Sequence, residues 1–184
     1  MQLLAVSDDH GCCMLKVKML EMHGLLWIVS SDTRGRILIW NYDRENNHLK
    51  HVQTEQVHQS GINGLDVWVE PSASKVTIAT GGDDNALHWR EYSLHGLAWH
   101  MDKKASKLTG HAGMISGVKF DQGPFLLWSV SLDQRMNGWQ LLASKSGSLD
   151  WHLQESDYVD IADVSCILVL EGYVIREFIS SADQ

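Results

Sequence analysis

The sequence predicts an all-β protein made of repeated units, and three observations lead to this fold class. Three segments share one pattern, namely an apolar run, then small and acidic residues, then a second apolar run; they occupy residues 26–40, 77–90 and 125–139. They recur at a nearly constant spacing along the chain. No long stretch has apolar residues at helical spacing, whereas β-branched and aromatic runs between tight turns are typical of strands.

The spacing defines a unit with a period near 50 residues. A small hydroxyl residue has the same place in each segment, and these residues follow one another after 50 and 49 positions: Ser30, Thr80 and Ser129. The residues ten positions later are Trp40, Arg90 and Trp139. The histidines 20, 22 and 18 positions earlier are His10, His58 and His111. Acidic turn residues follow in two units, Asp84 and Asp133; the first unit has Arg34 there, with Asp32 two positions earlier.

Individual strands can be placed within this pattern. In the third unit, Ile115 to Phe120 is predicted as the first strand, and the runs before Ser129 and around Trp139 as the next two. The stretch 14–22 alternates like a strand and precedes Ser30 as the first strand of a unit would, although a short helix is the alternative. Near the end, residues 163–170 and 173–178 are predicted as two strands joined through Glu171 and Gly172.

This pattern resembles the WD-repeat family, whose units of about 40–45 residues begin near a Gly-His pair and end at Trp-Asp. The third unit is the most similar, with Gly110-His111 and Trp139. Asn41 and Gln140 stand where the Asp of Trp-Asp would be. The resemblance implies an incomplete WD-repeat β-propeller of about three and a half to four blades of antiparallel strands, at residues 10–56, 57–109, 110–156 and 157–184.

The resemblance also implies a role for the recurring polar residues. In the family, the matching positions form a buried hydrogen-bonded network within a blade, which implies a structural tetrad of His111, Ser129, Asp133 and Trp139. Partial tetrads would be His58, Thr80 and Asp84, and His10, Ser30 and Trp40. A hydrolase triad is the alternative for Ser129, but no G-x-S-x-G turn surrounds it. We therefore expect no catalytic residue here.

Four phrases resemble one subgroup, the WD repeat-containing protein six family, more closely. They are TGGDDNALHW from Thr80, GHAGMISGVKF from Gly110, SVSLDQRMNGWQL from Ser129 and DVSCILVL from Asp163. The yeast counterpart is the accessory subunit of the tRNA wobble-position 2′-O-methyltransferase. The resemblance implies a non-catalytic scaffold whose protein partner is a tRNA 2′-O-methyltransferase. The fold alone supports equally a generic WD-repeat adaptor in signalling or protein turnover.

Charge and composition exclude several other classes of partner. The net charge of −8 disfavours tight binding of free RNA, so we expect tRNA contact only within the complex. Three cysteines, two of them adjacent, indicate a reducing compartment, and we expect a cytoplasmic protein. The sequence has no membrane-spanning apolar run, phosphate loop, dinucleotide fingerprint or zinc spacing. We therefore expect no membrane, cofactor, metal or small-molecule substrate.

Three further expectations concern particular residues and the chain as a whole. Trp27, Trp68 and Trp128 are predicted in the core, and Trp99 and Trp151, in polar surroundings, at an interface. The only basic cluster in the sequence, at residues 103–107, is predicted to be a solvated loop. Fewer than four complete blades do not close a typical ring, so we expect the chain to be part of a longer protein or a truncated product.

Overall fold

The computed structural model of the chain describes residues 11–70, 72, 74–104, 107–121, 123–143, 149–159, 164–170 and 173–178. These residues form an all-β protein with fourteen strands and no α-helix. Three sheets have four antiparallel strands each, and a fourth sheet has two. Sequence and spatial order coincide in every sheet, so each sheet is a simple meander. None of the described residues forms a helix capable of crossing a membrane.

Each sheet takes up one continuous stretch of the chain. The first contains β1 (Met14–Met22), β2 (Leu25–Asp32), β3 (Arg36–Asp43) and β4 (His48–Gln56). The second contains β5 (Ile62–Glu70), β6 (Lys75–Gly82), β7 (Leu87–His95) and β8 (Ala98–Lys104). The third contains β9 (Ile115–Phe120), β10 (Leu126–Ser131), β11 (Arg135–Ala143) and β12 (Leu149–Tyr158). The last contains β13 (Val164–Leu170) and β14 (Tyr173–Phe178).

Consecutive sheets pack through their first strands and their faces. Strand β1 contacts β5, β5 contacts β9, and β9 contacts β13. One apolar cluster fills the space between each pair of neighbouring sheets. The core is therefore a series of layers between sheets, because each sheet buries apolar side chains on the face that meets its neighbour.

The approach of the second sheet to the third depends on a glycine. A Cβ added to Gly81 on β6 would lie 2.3 Å from Cγ2 and 2.8 Å from Cβ of Ile115 on β9. Such distances are far inside van der Waals contact. Only a residue without a side chain allows this close packing of backbone against a β-branched residue.

Of the three tryptophans predicted in the core, Trp27 is buried, whereas Trp68 and Trp128 are only half-buried against apolar clusters. Trp27 is fully buried and lies edge-on to Trp99, with ring centroids 5.5 Å apart. Trp99 is only 5% exposed and packs in the cluster between the first two sheets, so its predicted place at an interface is wrong. Ala98 and His100 on either side of it are exposed on the outward face of β8, while Trp99 points inward. Trp151 is half-buried, with its ring centroid 5.9 Å from that of Trp89.

Candidate functional site

The third sheet carries a continuous hydrogen-bonded chain of four side chains. Trp139 on β11 donates its indole N–H to the Ser129 hydroxyl on β10 at 2.8 Å. The same hydroxyl lies 2.8 Å from Nε2 of His111, which precedes β9. Nδ1 of that imidazole lies 3.0 Å from Oδ2 of Asp133, in the turn between β10 and β11. The structure thus brings together all four residues that the sequence singles out in this unit.

The donors and acceptors of these four side chains match when the imidazole of His111 is neutral. Asp133 accepts from Nδ1–H, Nε2 accepts the Ser129 proton, and the hydroxyl oxygen accepts from Trp139. Burial lowers the pKa of His111, and the nearby Asp133 only partly opposes that effect. Every donor and acceptor in the chain therefore has a partner without a buried positive charge.

Asp133 also fixes the backbone around the network. It accepts hydrogen bonds from the N–H of Ala112 at 2.7 Å and from the N–H of Arg135 at 3.0 Å. Burial by itself would raise the pKa of Asp133, but these hydrogen bonds and His111 outweigh it and lower the pKa. The carboxylate therefore ties the segment before β9 to the turn after β10.

The second sheet repeats most of this arrangement. Nδ1 of His58 lies 2.8 Å from Oδ1 of Asp84, and Nε2 lies 2.9 Å from the Thr80 hydroxyl. Burial lowers the pKa of His58, while Asp84 acts in the opposite direction. For Asp84, burial raises the pKa, but the hydrogen bond with His58 and backbone N–H groups reverse the sign and lower it. All three residues of this predicted partial tetrad are in contact.

Arg90 occupies the tryptophan position of the second unit, and it binds a residue of another sheet and not a hydroxyl of its own sheet. Its Nε donates to Glu55 on β4 of the first sheet at 2.8 Å, and Tyr92 donates to the other oxygen of Glu55 at 2.5 Å. Burial raises the pKa of Tyr92, which keeps the phenol protonated as a donor. The side chain at this position thus links two sheets. Sequence reasoning missed this contact, although an arginine at the position that a tryptophan occupies in the other two units was a signal.

The second network also has a neighbouring histidine. The rings of His58 and His88 meet edge to face, with centroids 4.6 Å apart. Ligand atoms of His58, Asp84 and His88 lie within 4.8 Å of one another, as a metal site would require. However, both ring nitrogens of His58 already have hydrogen-bond partners. Burial lowers the pKa of His88 to about 4, so its ring is uncharged at neutral pH.

The first sheet keeps the hydroxyl and the indole but rearranges the turn. Trp40 donates its indole N–H to the Ser30 hydroxyl at 2.9 Å, as Trp139 does to Ser129. His10 lies outside the described residues. Asp32 accepts from the N–H of Arg34 at 2.9 Å and forms an ion pair with Arg36 at 2.7 Å. Asp32 thereby supplies the carboxylate of this turn from a position two residues earlier than in the other units.

One buried carboxylate outside these networks, Asp66, was not singled out in the sequence. Asp66 on β5 is 2% exposed and accepts a hydrogen bond from the backbone N–H of Phe120 at 2.9 Å. Lys18 on β1 and Lys119 on β9 both pair with it, at 3.0 and 3.1 Å. Asp66 therefore connects the first three sheets at their first strands. A charged residue within the run LDVWV was the available signal.

The arrangement around Ser129 suits hydrogen bonding better than chemistry. The hydroxyl is fully buried, and it is enclosed by the indole of Trp139 and the imidazole of His111. A nucleophilic serine needs an open side from which a carbonyl carbon can approach.

Comparison with known proteins adds no relative, since no family model matches the chain and no curated protein sequence matches it significantly. The function of the chain is therefore argued from the geometry of the networks and from the four sequence phrases.

Proposed function

We propose that the chain is part of a WD-repeat β-propeller and acts as a non-catalytic scaffold that supports tRNA 2′-O-ribose methylation by a partner methyltransferase. The observation that carries the proposal is the recurrence of one polar network in consecutive sheets. His111, Ser129, Asp133 and Trp139 form it completely, and His58, Thr80 and Asp84 form most of it.

The packing of the sheets supports the propeller part of the proposal. In a propeller, four-stranded meanders surround an axis and present their first strands to it. The contacts β1 to β5, β5 to β9 and β9 to β13 follow that order. The apolar clusters between successive sheets supply the face-to-face packing that neighbouring blades need.

The burial of the polar networks supports a structural role for them. Ser129 and Thr80 are at most 2% exposed, so a substrate has no access to either hydroxyl. A buried network stabilises the fold when every member has its partner, and it rigidifies the loops that it joins. Rigid sheets with exposed connecting loops are suited to holding a protein partner, and binding residues are concentrated on such loops.

The assignment of a methyltransferase as the partner rests on the sequence phrases that resemble the WD repeat-containing protein six family. The acidic net charge fits a division of labour in which the partner supplies the catalytic site and most of the contacts with tRNA. The chain would then contribute position and rigidity to the complex. A generic adaptor function follows from the same fold if the partner is of another class.

A pull-down with quantitative mass spectrometry tests the proposal. The tagged 184-residue chain is the bait, and we expect a tRNA 2′-O-methyltransferase among the enriched proteins. Asp133→Ala should lose the partner because the loop before β9 is no longer fixed, whereas Glu155→Ala, which removes an exposed carboxylate on β12, should retain it. The purified chain, given tRNA and a methyl donor, should transfer no methyl group.

Three results would contradict the proposal. One is an enriched set without any methyltransferase, which would favour the generic adaptor. Another is methyl transfer by the purified chain itself, which would make it an enzyme. The third is hydrolysis of ester substrates that disappears with Ser129→Ala, which would revive the hydrolase alternative.

A further inference from the structure

Three lysines from separate parts of the sequence line one pocket at the first strands. Lys16 and Lys18 are two residues apart on β1 and therefore lie on the same face of the strand. Lys119 reaches the same pocket from β9. The pocket has a volume of about 130 Å³ and is also lined by Asn63, Ser116 and other residues of β5, β9 and β13.

A buried carboxylate holds two of these lysines close together. Lys18 Nζ lies 3.0 Å and Lys119 Nζ lies 3.2 Å from Oδ1 of Asp66. Because both ammonium groups contact the same oxygen, they lie close to each other despite their like charge. Their side chains are 38% and 30% exposed, so both remain accessible from the pocket.

The pocket keeps an excess of positive charge in an acidic chain. Among its described lining residues there are three lysines and no carboxylate. Asp66 lies beneath it and neutralises one of the three charges. Asp83, which accepts a hydrogen bond from Asn63 at 2.5 Å, is not part of the lining. Two positive charges therefore remain along the pocket, where they repel each other and favour an anion.

We propose that this pocket binds the phosphate group of a phosphate monoester. A monoester carries close to two negative charges at neutral pH and three acceptor oxygens, which match the two excess charges and the three ammonium donors. A carboxylate or a phosphodiester carries one charge and leaves one lysine uncompensated. Phosphate therefore fits the charge of the pocket better than an acidic side chain or an RNA backbone does.

A second pocket adjoins the first and suits the organic part of such an ester. It has a volume of about 280 Å³ and shares Lys16, Asn63 and Ser116 with the lysine pocket. Its remaining lining is apolar, from Leu15, Met114, Leu132 and Val164. The two pockets together would bind phosphate at one end and an apolar or aromatic group at the other. Such binding is independent of any role in tRNA methylation.

A titration followed by NMR tests this site in the complete chain. The probes are inorganic phosphate, phenyl phosphate, a triglutamate peptide and an RNA trinucleotide without terminal phosphates, with sodium chloride at matched ionic strength as reference. The backbone amides of Gly64 and Gly117 report on binding, since both glycines line the pocket. We expect saturable shifts with both phosphates and at least threefold tighter binding of phenyl phosphate.

Variants of two lysines separate the site from general charge effects. Lys16 is exposed and forms no ion pair within the described part of the chain, so Lys16→Glu should fold and should weaken phosphate binding at least tenfold. Lys50→Glu, on the exposed strand β4, changes the net charge equally and should alter binding less than twofold.

Several outcomes would overturn the proposal. They are the absence of saturable shifts beyond those caused by chloride, an equal effect of both lysine variants, and binding of triglutamate or the trinucleotide as tight as that of phenyl phosphate. Equal affinity for inorganic phosphate and phenyl phosphate would overturn the assignment of the second pocket to the organic group.

Discussion

At the scale of single residues, Ser129 shows how one buried hydroxyl connects two strands and a loop. It accepts a hydrogen bond from Trp139 and donates one to His111, and His111 donates one in turn to Asp133. Each member is polar and buried, so each is costly to leave without a partner. The stability of the unit therefore depends on the network as a whole.

Asp133→Ala tests this dependence. It removes the acceptor for the imidazole N–H and for the backbone N–H groups of Ala112 and Arg135. We expect the free energy of unfolding to fall by roughly 2–4 kcal/mol. Urea denaturation of the variant and of the Glu155→Ala control measures the difference. A free energy of unfolding for Asp133→Ala equal to that of the Glu155→Ala control would exclude a structural role for the network.

The buried histidines predict how stability depends on pH. Burial lowers the pKa of His58 and His111, and lowers that of His88 to about 4, from an ordinary value of 6.5. As the pH falls below 6.5, the unfolded chain takes up protons that the folded chain does not. The free energy of unfolding should therefore be greatest above pH 6.5 and should decrease between pH 6.5 and about 4.

Denaturation curves at about pH 8, 6.5 and 5 measure this loss. In His88→Phe, which keeps a ring beside His58, the decrease should be smaller because one of the three groups no longer titrates. Asp84 and Asp133 contribute little between about pH 8 and 5, since their pKa is an ordinary 3.8 in the unfolded chain and is lower in the folded one. Equal stability at the two ends of this pH range would contradict the account.

At the scale of the strands, the sequence predicted those with a buried face. The run from Ile115 to Phe120 is β9, and the last two predicted strands pair as β13 and β14. The stretch 14–22 is strand β1 and not a helix. These segments were predictable because runs of apolar and β-branched residues between turns favour strands.

The last strand of each four-stranded sheet was not identified individually. Strands β4, β8 and β12 are mostly exposed on both faces, so burial does not impose an apolar alternation on them. Contacts between sheets were missed for a different reason. Glu55, Arg90 and Asp66 find their partners on other sheets, and a single sequence does not show which strands will be neighbours.

Gly81→Ala tests the close packing between the second and third sheets. The new methyl group would overlap Ile115, and we expect a loss of roughly 1–3 kcal/mol of unfolding free energy. In an Ile115→Ala background the same change should cost less, because the Cγ2 atom that it meets is absent. A double-mutant cycle by urea denaturation gives the coupling between the two positions. A coupling of zero would contradict the close contact between these sheets.

At the scale of the whole molecule, no described residue forms a sheet that covers the outer face of the first or the last sheet. Val17 and Met19 on β1 are 42% and 66% exposed, on the face opposite to Lys16 and Lys18. Leu168 on β13 is 43% exposed, next to Ile167, which packs on the third sheet. Apolar side chains on unpartnered sheets favour association.

We therefore expect the isolated chain to self-associate or aggregate. Light scattering across a concentration series measures the effect. Met19→Glu should shift the distribution towards monomer, whereas Leu149→Glu, on the exposed strand β12, should not. A clean monomer with a sharp two-state melt would contradict this expectation and would indicate that the ends are covered in another way.

We propose that the chain supports methylation of tRNA without performing it. Mass spectrometry of tRNA from cells that lack the gene for this chain tests the claim most directly. We expect ribose 2′-O-methylation at the wobble position to be strongly reduced, and to be restored when the gene is returned, while other tRNA modifications stay unchanged. Normal wobble methylation in those cells would contradict the claim and leave only a generic adaptor function.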